Sequence, residues 1–298
     1  MKKKILVILL ILILIVAIIS GTYLVYVGYI MPKETNDIVN EYQELYTENT
    51  PPLENNWQEG EVLPKFNSLL DKNKDTIGWL TIPSIKIDMP VFYREKNPEY
   101  YLRRTAEGKY SSYGSLFMSS VTSVYPMSQK LIIYGHNMKN GKMFGSLKKF
   151  ENLNFLKENP VFSFDTLYED CEWKIIAVCN FSIYTDQTDE FDYRKTCITK
   201  ESFDDFIYIL RTRSYFYIND DVRFGDDILM LSTCDYAFNG ERFVIVARRI
   251  RNGESSNVET SNYAKNPLVR LPNEYYKNNK FPSDNVLRQN YNNYFLSF

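Results

Sequence analysis

The chain has 298 residues, with 35 Lys or Arg, 37 Asp or Glu and a single histidine, His136. A formal net charge of −2 gives no support to nucleic-acid binding, which needs a basic surface. The sequence has no Gly-rich phosphate loop and no paired-cysteine zinc spacing, and one histidine is too few for a histidine-based metal site. We therefore expect neither a metal nor a cofactor.

The N-terminus carries a long apolar stretch. No charged residue occurs from Ile5 to Ile30, which is enough to cross a hydrocarbon core of about 30 Å. The lysines at positions 2–4 predict that the N-terminus is cytoplasmic and that the remaining chain lies outside the cell. A cleaved signal peptide is the alternative, but its apolar region usually has only about 7–15 residues. We predict that residues 1–30 are an uncleaved, single-pass membrane anchor.

The rest of the chain divides by composition. Residues 31–64 are polar and acidic and are predicted to be an extracellular stalk, with a short helix around LPKFNSLLDK at its end. Residues 65–252 are predicted to be one folded domain. Residues 253–298 are rich in Asn, Tyr and Lys, show little periodicity, and are predicted to be a polar tail.

The folded domain consists mainly of short apolar runs separated by Gly, Pro, Asn and Asp. The candidate strands are GWLTIP, IKIDMPVFY, GSLFMSS, KLIIYGH, PVFSFDT, EWKIIAVCNFSIY, DDILMLSTC and RFVIVARR. Strands of this length and spacing predict a mostly β fold with a closed or nearly closed barrel.

One segment departs from the strand pattern. In TKESFDDFIYILRTR the apolar residues Phe203, Phe206, Ile207 and Leu210 follow helical spacing, and Thr199 can cap the start. We predict an amphipathic helix inserted between two strands, with its apolar side packed on the barrel.

The four cysteines do not suggest disulfides. Cys171 and Cys179 lie in one predicted strand, roughly 26 Å apart, whereas a disulfide requires Cα atoms within about 7 Å. Cys197 lies in a polar loop and Cys234 ends a separate strand. We interpret Cys171 and Cys179 as small buried apolar residues.

Cys234 has chemically suitable neighbours. A nucleophilic thiol needs a base, and acyl transfer needs positive charge where the oxyanion develops. Arg242 follows Cys234 across a turn, so antiparallel pairing would bring its guanidinium back to the thiol. His136 follows an apolar run, and histidine exchanges protons near neutral pH. We interpret these three residues as nucleophile, acid/base and oxyanion clamp.

These residues also carry a family resemblance. LSTC, with Arg242 eight residues after its cysteine, and IYGHN resemble the sortase signature, and the similarity extends over most of residues 65–250. The segment YGHNMKNGKMFGSLKKFENLNFL and the inserted helix are similar to the class B branch. The resemblance implies an eight-stranded sortase barrel in which Cys234, His136 and Arg242 are catalytic.

The resemblance further implies a reaction and a substrate. Leu102, Tyr134 and Ser232 match positions that line the sorting-signal groove of class B enzymes. The expected activity is cleavage of a C-terminal sorting signal of secreted proteins at a Thr carbonyl, through a Cys234 thioester, and transfer to a peptidoglycan peptide amine. Two alternatives are a cell-wall cysteine peptidase and a membrane-tethered binding module without turnover.

Overall fold

The computed structural model describes residues 2–48, 60–118, 123–183, 191–195, 199–234 and 239–276. Eight strands of this part form a closed barrel in the order β1-β2-β3-β4-β8-β9-β6-β5. Their bounds are β1 Thr76–Ile82, β2 Ile87–Tyr93, β3 Leu116–Met118, β4 Lys130–Tyr134, β5 Val161–Thr166, β6 Glu172–Ser182, β8 Ile228–Cys234 and β9 Glu241–Arg249. All eight candidate strands are confirmed, and with them the mostly β, eight-stranded barrel.

Two parallel pairs interrupt an otherwise antiparallel barrel. β2 pairs with β3 in parallel, and β4 pairs with β8 in parallel. The parallel β4–β8 pair places the C-terminal ends of both strands at the same end of the barrel. The residues that follow β4 therefore lie beside the residues that end β8.

Strand β8 is buried on both of its faces, toward the inside and toward the outside of the barrel. In β8, Leu229 and Leu231 belong to the core inside the barrel, whereas Met230 belongs to a second apolar cluster on the outer face. This outer cluster is covered by α5, which spans Lys200–Arg213. A strand covered on both faces reads as a continuous apolar run, as the sequence of β8 does.

The inserted helix is confirmed. Thr199 is its N-cap, accepting a hydrogen bond from the Ser202 backbone N–H, and the Ser202 hydroxyl completes a capping box. Its four predicted apolar residues are all buried: Phe203, Phe206, Ile207 and Leu210. Two shorter helices are α3, Asn67–Lys72, where a short helix was predicted, and α4, Leu153–Glu158.

The N-terminal helices differ from the expected stalk. α1, Lys2–Val25, continues through a π-helical turn, Tyr26–Ile30, into α2, Met31–Glu48. α2 packs on the barrel: Tyr42 is fully buried, and the Tyr46 ring stacks on Trp79 with centroids 4.3 Å apart. Residues 31–48 of the predicted stalk are therefore a helix docked on the barrel.

The C-terminal segment also differs from expectation. Short strand β10, Ala264–Lys265, pairs with β7, Phe216–Tyr217, and Tyr263 is buried. Glu254 forms an ion pair with the fully buried Arg248 on β9. Residues 253–276 are thus part of the packed domain, because they cover polar groups that the barrel alone would leave buried and incompletely paired.

The described cysteines are free thiols, namely Cys171, Cys179 and Cys234. Cys171 and Cys179 are both buried, as predicted. Cys197 lies outside the described residues.

Candidate active site

Cys234 and Arg242 are direct cross-strand partners. The antiparallel register of β8 and β9 places Cys234, the last residue of β8, opposite Arg242. Residues opposite one another in such a pair have Cβ atoms roughly 4.5–5.5 Å apart and project from the same face of the sheet. The predicted antiparallel pairing of the two residues is therefore confirmed. Both side chains are half-buried.

This pair lies on the outer face of the barrel. Side chains alternate along a strand, so Cys234 projects to the same side as Met230, which packs under α5. Arg242 likewise shares its side with Val244 and Val246 of the outer cluster. The two residues therefore lie on the outside of the barrel.

Two hydrogen bonds connect the residue before His136 to β8. The Gly135 N–H donates to the Ser232 carbonyl at 3.3 Å, and the Thr233 hydroxyl donates to the Gly135 carbonyl at 2.7 Å. A glycine is needed here, because a Cβ atom at this position would lie 2.6 Å from Leu116 Cδ2. The parallel β4–β8 pairing is thus extended by one residue and leads the chain directly to His136.

A further hydrogen bond connects the residue after His136 to the cysteine itself. The Asn137 side-chain amide donates to the Cys234 carbonyl at 2.7 Å. The His136 carbonyl accepts from the Phe144 N–H at 2.9 Å, which closes the loop behind it. His136 is therefore held on both sides, and its backbone cannot shift relative to the end of β8 without breaking these bonds.

The imidazole of His136 has a defined tautomer. Its Nε2 lies 2.6 Å from the Leu102 carbonyl oxygen, which can only accept a hydrogen bond. Nε2 therefore carries the proton in the neutral ring, and Nδ1 holds the lone pair. Burial lowers the pKa of His136 below 6.5, the Leu102 hydrogen bond opposes this shift, and the nearby Arg103 charge adds to it.

A single cavity of 270 Å³ brings the predicted residues together. It is lined by all six of them: Leu102, Tyr134, His136, Ser232, Cys234 and Arg242. Leu102 belongs to a 3₁₀ turn, Tyr100–Arg103, which forms one wall, and Tyr134 pairs with Ser232 across β4 and β8. Within the described residues no cluster of three or more His, Cys, Asp or Glu could hold a metal ion.

Tyr193 lines the same cavity and was missed in the sequence. Its hydroxyl is hydrogen-bonded to the Ser232 hydroxyl at 2.9 Å, and its ring stacks on Phe181 with centroids 4.9 Å apart. Burial raises the pKa of Tyr193, so this phenol stays protonated. No local signal identifies it, because FDYRK reads as an ordinary polar loop.

Asn137 is a second missed residue. It follows the histidine inside IYGHN, so the motif contained it, but only the structure shows that its amide binds the Cys234 backbone.

Comparison with known proteins identifies one family throughout. A family profile described as the sortase domain matches residues 80–250. Sortase B of Listeria monocytogenes is 31% identical over 203 residues, which is 68% of this chain and 79% of that protein. Sortase B of Staphylococcus aureus is 27% identical over 192 residues, 64% of this chain and 76% of that protein.

The fold comparison agrees. The crystal structure of sortase B from Bacillus anthracis in complex with AAEK1 superposes with a TM-score of 0.65 and 28% identity. The superposition covers 74% of this chain and 98% of that one.

Proposed function

Because the chain belongs to the sortase family of cysteine transpeptidases and its relatives are class B enzymes, we propose that it anchors secreted proteins to the cell wall. It cleaves their C-terminal sorting signal, of the Asn-Pro-X-Thr type or a variant, at the Thr carbonyl. It then transfers the protein to a peptidoglycan peptide amine. The observation that carries the proposal is the cross-strand pairing of Cys234 with Arg242 in the cavity that contains His136.

The first half-reaction forms a thioester. Nδ1 of His136, the unprotonated nitrogen of the neutral ring, accepts the thiol proton, and the Cys234 sulfur attacks the Thr carbonyl carbon. As the tetrahedral intermediate collapses, the C–N bond breaks and the imidazolium returns its proton to the departing amine. The Cys234 thioester of the secreted protein remains.

The second half-reaction reverses the roles. The wall-peptide amine loses a proton to His136 and attacks the thioester carbon. The C–S bond breaks, the new amide forms, and the Cys234 sulfur regains a proton from the imidazolium. Because one base serves both halves, the Leu102 hydrogen bond to Nε2 keeps Nδ1 available in each.

Arg242 stabilises the oxyanion in both half-reactions. Its planar guanidinium presents several N–H donors to a developing negative charge. One of them, Nη1–H, donates to the Glu241 carbonyl at 2.9 Å, which restrains the group and leaves its other N–H donors for the oxyanion. A pre-oriented donor stabilises the transition state without reorganising during the reaction.

The sorting signal binds in the cavity beside the thiol. Leu102, Tyr134 and Ser232 line this cavity and provide apolar and hydroxyl contacts for an extended peptide. Tyr193 orients the Ser232 hydroxyl and so shapes the same wall.

The apolar N-terminal helix anchors the enzyme. The helix Lys3–Thr47 contains an apolar stretch that is 0% buried by the described part of the protein. The composition of this stretch suits a membrane span. With the lysines at positions 2–4 in the cytoplasm, α2 and the barrel lie on the outer side.

The test is a two-substrate assay with the full chain in vesicles. A sorting-signal peptide and a wall-type peptide amine are supplied, and mass spectrometry follows the Cys234 adduct and the products. We expect a thioester at Cys234 and an amide product that requires the amine. Hydrolysis of the peptide with no amide product when the amine is present would indicate a peptidase. The absence of any adduct would indicate a binding module, and either result would overturn the proposal.

A further inference from the structure

The membrane-spanning stretch and the barrel are joined without a spacer. The apolar stretch ends at Ile30, and the next residue, Met31, is only 3% exposed because it packs on the barrel. The helix continues from α1 into α2 with no break in its course. A continuous helix of this kind fixes the height of the barrel above the bilayer, which a flexible linker would not do.

The part of the barrel domain that meets this helix turn is the segment 105–113. The Met31 sulfur accepts hydrogen bonds from the Ser112 N–H at 3.3 Å and from its hydroxyl at 3.2 Å. The Thr35 hydroxyl is hydrogen-bonded to the Ser111 hydroxyl at 3.1 Å. Thr35 is five residues beyond Ile30, which is only about 7.5 Å along a helix axis. Segment 105–113 therefore lies close to the bilayer surface.

The length of the apolar stretch places its last turns in the headgroup region. Residues 5–30 extend for about 39 Å as a helix, whereas the hydrocarbon core is about 30 Å thick. Tyr26, near the end of this stretch, lines an open cavity of 580 Å³ together with Tyr110 and Ser111. Tyr110 therefore lies at about the same depth along the membrane normal as Tyr26, which is in the headgroup region.

The exposed side chains of the segment suit that position. Tyr110 is 61% exposed and has no part in the core, and the Lys109 side chain is 71% exposed, with its ammonium 3.0 Å from Glu107. Tyrosine is enriched at headgroup depth, and a lysine there can keep its charge in water while its methylenes contact lipid.

We propose that segment 105–113 contacts the lipid headgroups through Tyr110 and Lys109 and holds the barrel against the membrane. The inference rests on the membrane insertion proposed above for residues 5–30. The segment is also connected to the active site. The Ser111 N–H donates to the Arg103 carbonyl at 3.0 Å, and the neighbouring Leu102 carbonyl binds His136. Segment 105–113 is thus joined by one hydrogen bond to the turn that carries Leu102, a wall residue of the catalytic cavity.

The experiment places a fluorophore on the segment in the full chain. Tyr110→Cys is made in a chain with Cys197→Ser and Cys234→Ser, in which Cys171 and Cys179 are buried and unreactive. It is labelled with an environment-sensitive dye and reconstituted in phosphatidylcholine vesicles. Lys109→Cys reports on the same surface. Phe224→Cys, an exposed residue just before β8 and hence at the opposite end of that strand from Cys234, is the matched control.

Flotation with the vesicles is scored first. A chain that does not float refutes the membrane anchor, and with it this inference. For chains that float, we expect dyes at 110 and 109 to show blue-shifted emission and severalfold weaker quenching by aqueous iodide than the dye at 224. Equal quenching at all three positions would overturn the inference while leaving the anchor intact.

Discussion

The Tyr275 hydroxyl donates a 2.5 Å hydrogen bond to Oε1 of Glu241, the residue immediately before Arg242. Glu241 is fully buried, and the same oxygen accepts from the Asn180 side-chain amide at 2.6 Å. Because the Glu241 carbonyl in turn accepts from the Arg242 guanidinium, the C-terminal segment is connected to the proposed oxyanion clamp through one residue.

Tyr275→Phe removes only the hydroxyl of this connection. We expect it to lower the free energy of unfolding by about 1 kcal/mol, the size of a typical lost hydrogen bond, because Oε1 of Glu241 keeps the Asn180 amide as a donor. The rate of thioester formation should also fall, because Glu241 and the adjoining guanidinium lose a restraint. Denaturant unfolding measures the free energy of unfolding, and single-turnover acylation measures the rate of thioester formation.

Tyr276→Phe is the matched control. The Tyr276 hydroxyl donates to the Val269 carbonyl at 3.2 Å and accepts from the Leu271 N–H at 3.1 Å, and both of these partners lie in the C-terminal segment. It should lower stability but leave acylation unchanged. Equal acylation rates in both variants would show that the connection from Tyr275 does not reach Arg242.

Glu254 contributes pH-dependent stability. Hydrogen bonding to Arg248 lowers the pKa of Glu254 far below its usual 4.5; burial opposes this shift and the Lys174 hydrogen bond adds to it. A group with a depressed folded-state pKa stabilises the fold above its unfolded pKa, and this stabilisation is lost as the pH falls toward the folded value. Glu254→Gln should cost about 2 kcal/mol at pH 7, and the difference from wild type should shrink below pH 4.5.

Chemical unfolding of both proteins from pH 7 to pH 3 measures this effect. Glu259→Gln is the control, because Glu259 is exposed and its replacement should leave the stability nearly unchanged. A Glu254→Gln cost that persists unchanged at pH 3 would show that the carboxylate charge is not what stabilises Arg248.

Local signals explain what the sequence could predict. The α5 helix was identifiable because its cap, Thr199, and its apolar spacing lie within fifteen consecutive residues. The Cys234–Arg242 pairing followed from two apolar runs joined by a short turn. Both features depend only on contacts close in sequence, which residue patterns encode directly.

The docking of α2 was missed because its buried face is not made of typical apolar residues. Met31, Thr35, Ile38, Tyr42 and Tyr46 follow helical spacing, but two tyrosines and a threonine among acidic neighbours read as a polar segment. The stripe is recognisable only when hydroxyl-bearing residues count toward the buried face. The contact from Tyr193 to Ser232 joins residues 39 apart, and no periodicity reveals such a pair.

Cys234 should be the one essential thiol among Cys171, Cys179 and Cys234. Burial raises the pKa of Cys171 to about 12 and also raises that of Cys179, so neither forms a thiolate at neutral pH. Cys234→Ala should abolish cleavage of a sorting-signal peptide, whereas Cys171→Ala should retain turnover. Peptide cleavage is followed by chromatography.

Alkylation provides an independent measurement. Iodoacetamide at neutral pH should modify Cys234 in the folded protein and leave Cys171 and Cys179 unmodified, as mapped by mass spectrometry. Cleavage by Cys234→Ala at the wild-type rate would exclude this thiol as the nucleophile.

Arg242→Lys keeps the charge but removes the planar, multi-donor guanidinium. We expect a loss of about 2–4 kcal/mol of transition-state stabilisation in kcat/KM, comparable to removal of an oxyanion donor. Arg249→Lys, at the other end of β9 in an ion pair with Glu169, is the control and should be nearly as active as wild type. Steady-state kinetics with a sorting-signal peptide measures the loss. Equal activity of Arg242→Lys and the wild type would exclude Arg242 as the group that stabilises the oxyanion.

The ionisation of His136 can be read directly, because it is the only histidine in the chain. Its Cε1–H signal is unique in a proton–carbon NMR spectrum of protein without a histidine tag. The measurement uses Cys234→Ala, since a neighbouring thiol would make the titration a property of the pair. Burial, the largest cause, predicts a midpoint below 6.5, and the urea-unfolded chain is the reference.

The lowered pKa of His136 also makes the stability of the fold depend on pH. With the folded pKa below the unfolded one, the unfolded chain binds more protons, so the His136 contribution is complete above pH 6.5 and declines as the pH falls toward the folded value. The stability of the wild type relative to His136→Gln should therefore decrease between pH 7 and pH 5. A folded midpoint above 6.5 would contradict this and would mean that the Leu102 carbonyl, which favours the protonated ring, outweighs burial.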